Sequence, residues 1–191
     1  TRMTRAAITN ARLLCPAGNI DTIGTLVFED GAIVSVGETD ANANQTIDAN
    51  GLCLAPGLID LRVKTGEPGS EQKETLATAS RSALAGGVTS MVVMPDTNPV
   101  IDDVALVQFI ANRGRETART RVYPAGALTK GLAGNAMAEI GMMRGSGAVF
   151  FTNGDMPVEN ASMLRRTMGY AASCNAIVSS RANDHALGQS G

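Results

Sequence analysis

From residue 57 onward the chain alternates short apolar runs with amphipathic, capped segments, and this alternation constrains the fold more than any other feature. Leu58-Ile59-Asp60-Leu61-Arg62-Val63 is a near-continuous apolar run of the kind a buried parallel strand requires. Ser70, followed by Glu71 and Glu74, supplies an N-cap for an Ala-rich helix that ends at Gly86-Gly87. Residues 88–95 form the next strand. Asp102 or Asp103 caps a helix whose expected apolar face is Ala105, Leu106, Phe109 and Ile110. Further strands are predicted over 121–128, 147–153 and 175–180, with helices over 136–143 and 162–172. Five strand–helix repeats imply stacked βα units and a parallel sheet, either open and doubly wound or curled into a barrel. No G-x-G-x-x-G follows the first strand and no G-x-x-x-x-G-K-[ST] occurs, which lowers the weight of nucleotide-binding open sheets.

Residues 4–55 follow a different period. Residues 6–14 and 25–36 alternate apolar and polar side chains, and Glu29-Asp30-Gly31 interrupts the second run with the strongest short hairpin signal. Residues 46–51 read as a strand running into a turn. The expectation is a small antiparallel β-domain over 1–56, followed by barrel-type βα units over 57–191. Those units fall well short of the ~250 residues of an eight-unit barrel. An unclosed barrel would expose apolar strand edges, so the chain reads as a split half or the ordered part of a longer sequence.

Composition narrows the function. With 16 Lys+Arg against 18 Asp+Glu, the chain lacks the excess positive charge of nucleic-acid or anionic-membrane binders. It contains no apolar run long enough to span a bilayer and no secretory pattern at its N-terminus. Three scattered cysteines fit a reducing compartment, so a cytoplasmic location is expected. The single histidine, His185, excludes a tri-histidine zinc site built from this chain alone.

Pro56-Gly57-Leu58-Ile59-Asp60-Leu61, leading to Glu67-Pro68-Gly69, resembles the opening of the dihydroorotase family of metal-dependent amidohydrolases. The likeness continues through Ala85–Thr89, Met94-Pro95-Asp96-Thr97-Asn98-Pro99, Gly126–Gly131 and residues 182–187. The resemblance implies an α/β fold, a (β/α)8 TIM barrel of the amidohydrolase type with only about the first five units present here. It also implies zinc chemistry on a cyclic amide, in which metal-bound hydroxide attacks the carbonyl carbon.

The family's ligand positions are altered in this chain. Its first-strand H-x-H corresponds to Arg62-Val63-Lys64, two cations where a dication would bind. The bridging carboxylate corresponds to Asn153, or to Gly154 if the register slips, with Asp155 one or two places on. The fifth-strand histidine corresponds to Arg181, and His185, four residues away, does not substitute for it. The substrate-clamping arginine falls at Gly66, whereas Asn98 is retained in its motif. Zinc prefers neutral imidazole or anionic ligands, so no metal cofactor and no catalytic residue are expected here.

Arg62, Lys64 and Arg181 are expected to converge at the mouth of adjacent strands and to pair with Asp155, Asp184 or Asp60. The resemblance thus implies a non-catalytic dihydroorotase-like protein of pyrimidine biosynthesis, with a structural or regulatory role and aspartate carbamoyltransferase as partner. A homodimer is the family expectation for the assembly. Two alternatives stay open: an active cyclic-amide hydrolase with an unusual metal site, and a sensor of a small anionic pyrimidine precursor at the cationic mouth.

Overall fold

A computed structural model describes residues 5–38 and 42–183, and the chain divides into two compact units, residues 1–56 and 57–191. His185 and Asp184 lie outside the described residues.

The first unit is one sheet of five strands: β1 (Arg5–Cys15), β2 (Ile20–Glu29), β3 (Ala32–Glu38), β4 (Gln45–Asp48) and β5 (Cys53–Leu54). The order is β3-β2-β1-β4, with β5 also on β1. The Asp30-Gly31 hairpin forms, both residues at positive φ (49° and 83°), as a two-residue turn between right-twisted strands requires. The sheet is not wholly antiparallel, however, because β4 and β5 both run parallel to β1. Strand β4 thus pairs with the start of β1 rather than with β3. Ala6, Ala7, Ala11, Leu13 and Val27 make the buried face.

The second unit carries β6 (Leu58–Val63), β7 (Val88–Val93), β8 (Arg121–Pro124), β9 (Gly126–Ala127) and β10 (Phe151–Thr152). Strands β6, β7 and β8 pair in parallel in sequence order, and β9 pairs in parallel with β10. Ala125, between β8 and β9, bonds back to Val93 of β7, and Phe151 makes a parallel bridge to Val178. The expected fifth strand over 175–180 is therefore only that bridge, and the fourth is shorter than 147–153.

The helices are α1 (Leu76–Ala85), α2 (Val104–Thr117), α3 (Ile140–Gly145) and α4 (Ala161–Ser173). They cover the sheet with Leu76, Met91, Val107, Ile110, Leu128, Ile140, Met143, Phe151 and Met163 as the core. Helix α3 starts four residues later than expected.

Helix α1 is capped by Thr75, not Ser70. The Thr75 hydroxyl accepts from Thr78 N at 3.2 Å, and Thr78 Oγ1 accepts from Thr75 N at 2.9 Å. Ser70 is held earlier, in a turn, with its N–H on Gly66 O and its carbonyl accepting from Lys73 N. The α1 N-terminus is fixed instead by Glu67, a buried carboxylate that accepts from Leu76 N at 2.8 Å and from Arg113 Nε at 2.6 Å. One side chain thereby joins the first βα loop, α1 and α2. In return the carboxylate raises the Arg113 pKa, through its hydrogen bond and its charge.

Two burial expectations fail. The apolar β6 residues Leu58, Ile59 and Leu61 are 61%, 64% and 62% exposed. They lie on the outermost strand of the described sheet, where only β7 pairs with them. In α2, capped by Asp103, the buried residues are Val107, Ile110 and Gly114, while Phe109 is 40% exposed. Gly114 packs where a Cβ would strike Val122 of β8, and this close approach rotates the helix so that Val107 faces inward.

Replacing Ile110 by alanine is expected to cost about 2–5 kcal/mol, as for other buried aliphatics, and Phe109→Ala well under that. Paired urea-unfolding curves check the difference; equal losses would refute the helix orientation.

Candidate functional site

Parallel register brings the candidate residues together. Val63 is opposite Val93, and Met94 N bonds to Val63 O at 2.9 Å, so the segments leaving β6 and β7 travel side by side. Lys64 and Asp96 follow on those two segments and form an ion pair at 2.6 Å. The loop after β10 brings Asp155 to the same place. Lys64 Nζ also donates to Asp155 Oδ2 at 2.6 Å, and Arg62 donates to Asp155 Oδ1. Arg181 Nη1 stands 3.7 Å from Asp155 Oδ1 and 3.5 Å from its backbone carbonyl. Three cations thus meet one aspartate, and a second aspartate shares Lys64.

The convergence of Arg62, Lys64 and Arg181 holds, with Asp155 as their common partner. Asp60 plays a different part: its carboxylate accepts from the backbone N–H of Arg62. Asp96 is a member of the cluster that the sequence expectation above does not include. The available signal was an acid a few residues past the end of the strand neighbouring Lys64's own.

The electrostatics follow from these contacts. Hydrogen bonds from Lys64, with its charge and that of Arg62, hold the Asp155 carboxyl below its ordinary value. Asp155 and then Asp96 push the Lys64 ammonium upward. All of these side chains are partly solvated, so each pair by itself contributes little stability.

Asn153 does not join this cluster. Its buried amide points away, accepting from Thr129 N at 3.1 Å and donating to Thr129 Oγ1 at 2.8 Å and to the Leu132 carbonyl at 3.4 Å. It fastens the loop over residues 129–134, in which Gly131, Leu132 and Gly134 all have positive φ. An aspartate here would replace the donor facing Leu132 O with a second acceptor. Gly154, the neighbouring register, bonds through its N–H to Thr152 Oγ1 and offers no ligand.

Gly66 is enclosed by backbone. Its N–H bonds to Glu74 O, its carbonyl accepts from Ser70 N, and a Cβ would collide with the Ser70 carbonyl oxygen. The loop has closed on the position, so no longer side chain fits there without refolding. Asn98 donates its backbone N–H to Pro68 O at 3.2 Å, and its side chain lines a polar cleft of about 400 Å³ with Lys64, Thr65, Ser70 and Asp96. A second cavity, of about 450 Å³, lies against Arg62, Met94, Thr152, Ile177 and Arg181.

As a test of fit, a divalent metal needs neutral or anionic donors converging on one point. Arg62, Lys64 and Arg181 offer neither, and Asn153 is committed elsewhere. Among the described residues no group of three His, Cys, Asp or Glu side chains lies close enough to hold a metal ion. The described residues do not fit the zinc that the sequence resemblance implies.

Comparison with known proteins defines the class first. The described chain has an α/β amidohydrolase fold: it superposes on an L-hydantoinase (dihydropyrimidinase) from Arthrobacter aurescens with TM-score 0.82 at 21% identity, covering 95% of this chain and 41% of that one. A D-hydantoinase gives TM-score 0.70 at 19% identity, over 92% and 39%. The family follows from the sequence. A dihydro-orotase-like family model matches residues 51–191. A dihydroorotase-like protein of Pseudomonas putida is 40% identical over 187 residues, 97% of this chain and 44% of its own length. A dihydroorotase of Syntrophobacter fumaroxidans is 40% identical over 187 residues, 95% of this chain and 43% of its own. The chain belongs to the dihydroorotase-like family and spans less than half the length of these relatives. Among the described residues no helix is long and apolar enough to cross a membrane.

The ion cluster has a defined pH window. Asp155, with its value lowered, contributes stability above the ordinary aspartate range that is lost as pH falls through its folded value. Lys64, with its value raised, contributes below the ordinary lysine range and loses that contribution as pH rises through its folded value. Carboxyl-detected NMR titration is expected to place Asp155 below the ordinary aspartate midpoint and to return it toward that midpoint in a Lys64→Met variant. Replacing Gly66 by alanine is expected to destabilise the protein by about 1–3 kcal/mol through overpacking, read as a lowered urea midpoint.

Proposed function

We propose that this chain is a non-catalytic dihydroorotase-like protein of pyrimidine biosynthesis, in which an ion-pair cluster takes the place of the metal site. The observation that carries the reading is Asp155, which accepts Arg62 and Lys64 and stands beside Arg181. Arg62, Lys64 and Arg181 stand at the positions where the family resemblance expects a metal's histidine ligands, and Asp155 lies one or two places past the position of its bridging carboxylate. Relatives called dihydroorotase and dihydroorotase-like protein stand at the same 40% identity, so the reading rests on the site residues and not on overall similarity.

The proposal extends to the architecture and the role. The second unit is read as the first part of an eight-unit barrel, consistent with its parallel strands in sequence order and the uncovered apolar side chains of β6. Without metal chemistry, the role is structural or regulatory in the cytoplasm, with aspartate carbamoyltransferase as the partner. Binding of an anionic pyrimidine precursor at the mouth is the weaker reading, because the three cations there already share Asp155 and Asp96.

The test combines elemental analysis, a dihydroorotate hydrolysis assay with added zinc, and co-purification with the transferase, all on the full polypeptide. Metal at background, no hydrolysis above the blank, and co-elution with the transferase are expected. Stoichiometric zinc, or hydrolysis abolished by a chelator, would overturn the dead-site reading. Transferase that assembles and turns over equally well without this chain would overturn the partner.

A further inference from the structure

A cavity in the second unit is at the other end of the strands from the Asp155 cluster. It measures about 830 Å³ and lies where the C-terminal end of α2, the start of β8 and the turn after α3 meet. That volume is in the range of small-molecule sites.

Three arginines line it, Arg115, Arg119 and Arg121, and no aspartate or glutamate does so among the described residues. Arg115, in the last turn of α2, faces the negative end of that helix and donates to Asn112 Oδ1. Arg119 and Arg121 have no such role. They stand two residues apart, Arg119 in the bend before β8 and Arg121 at its first position, and neither forms an ion pair among the described residues. Solvated guanidinium groups that line one cavity without a counter-charge repel one another, and a bound polyanion relieves this.

A second observation points the same way. Between these arginines, the Thr120 hydroxyl, also part of the lining, is buried with no hydrogen-bond partner. Buried hydroxyls are normally satisfied, and an orphan in a cavity wall needs a water or a ligand atom. Thr89 and Ser146 add further hydroxyls to the lining.

We propose that this cavity binds a phosphate-bearing small molecule, with Arg119 and Arg121 gripping the phosphoryl oxygens. Guanidinium forks match phosphate geometry bidentately. Several cations on one concave wall call for a ligand that concentrates negative charge, and each phosphoryl group carries about −1.5 to −2. The site is independent of the Asp155 cluster, and its ligand would act as an effector.

Isothermal titration of the purified full polypeptide with pyrophosphate, ATP and citrate tests this. Saturable binding of pyrophosphate and ATP is expected, weakened about tenfold for each arginine lost in R119Q and R121Q. Binding should survive R62Q, which alters only the opposite end; circular dichroism checks that the variants fold. No saturable binding at millimolar ligand would overturn the site. Loss of binding in R62Q but not in R119Q/R121Q would move the anion to the strand mouth and refute the assignment. Citrate binding as tightly as pyrophosphate would refute the phosphate class.

Discussion

The buried carboxylate of Glu67 is the contact on which the candidate site depends. Burying a charge is unfavourable unless hydrogen bonds and a counter-charge accompany it, and here both come from other elements: the first turn of α1 and Arg113 of α2. The loop after β6 is thereby tied to two helices at once. Lys64 and Gly66, three and one residues upstream, inherit their positions from that tie. The cationic mouth is therefore a by-product of how the first βα connection is anchored.

The mouth carries cations paired with aspartates where a metal centre needs neutral or anionic donors. Parallel strands still deliver side chains from the ends of β6, β7 and β10 to one place. What arrives is a pair of donors, Arg62 and Lys64, from β6, and the acceptors Asp96 and Asp155 from the segments after β7 and β10. Asn153 has meanwhile been recruited to hold the 129–134 loop. The same topology thus serves a salt-bridged plug as readily as a coordination shell, and fold likeness to hydantoinases carries no chemistry by itself.

How much of this was legible in the sequence varied with how local the governing physics is. The Asp30-Gly31 turn, the Asp103 cap and the succession of strands and helices depend on nearest neighbours, and they were readable. The convergence of Arg62, Lys64 and Arg181 was readable only through the family resemblance, because their spacing of up to 119 positions carries no local signal. Thr75 displaced Ser70 as the cap because a distant carboxylate, Glu67, already held the helix start. Phe109 lost its place in the core because Gly114 let α2 approach β8 on another face. The parallel attachment of β4 and β5, and the exposure of Leu58, Ile59 and Leu61, follow from which strands are neighbours, which periodicity does not encode.

The collar around Gly66 bears on how such a chain could change over time. Arg62 and Lys64 are solvated positions that tolerate ordinary substitutions, histidine included. A long side chain at residue 66 has no comparable route, since it must displace the Ser70 and Glu74 carbonyls before it can be tolerated. A chain with a long side chain at residue 66 is therefore reached only through poorly folded intermediates, which makes glycine there a local trap in sequence space.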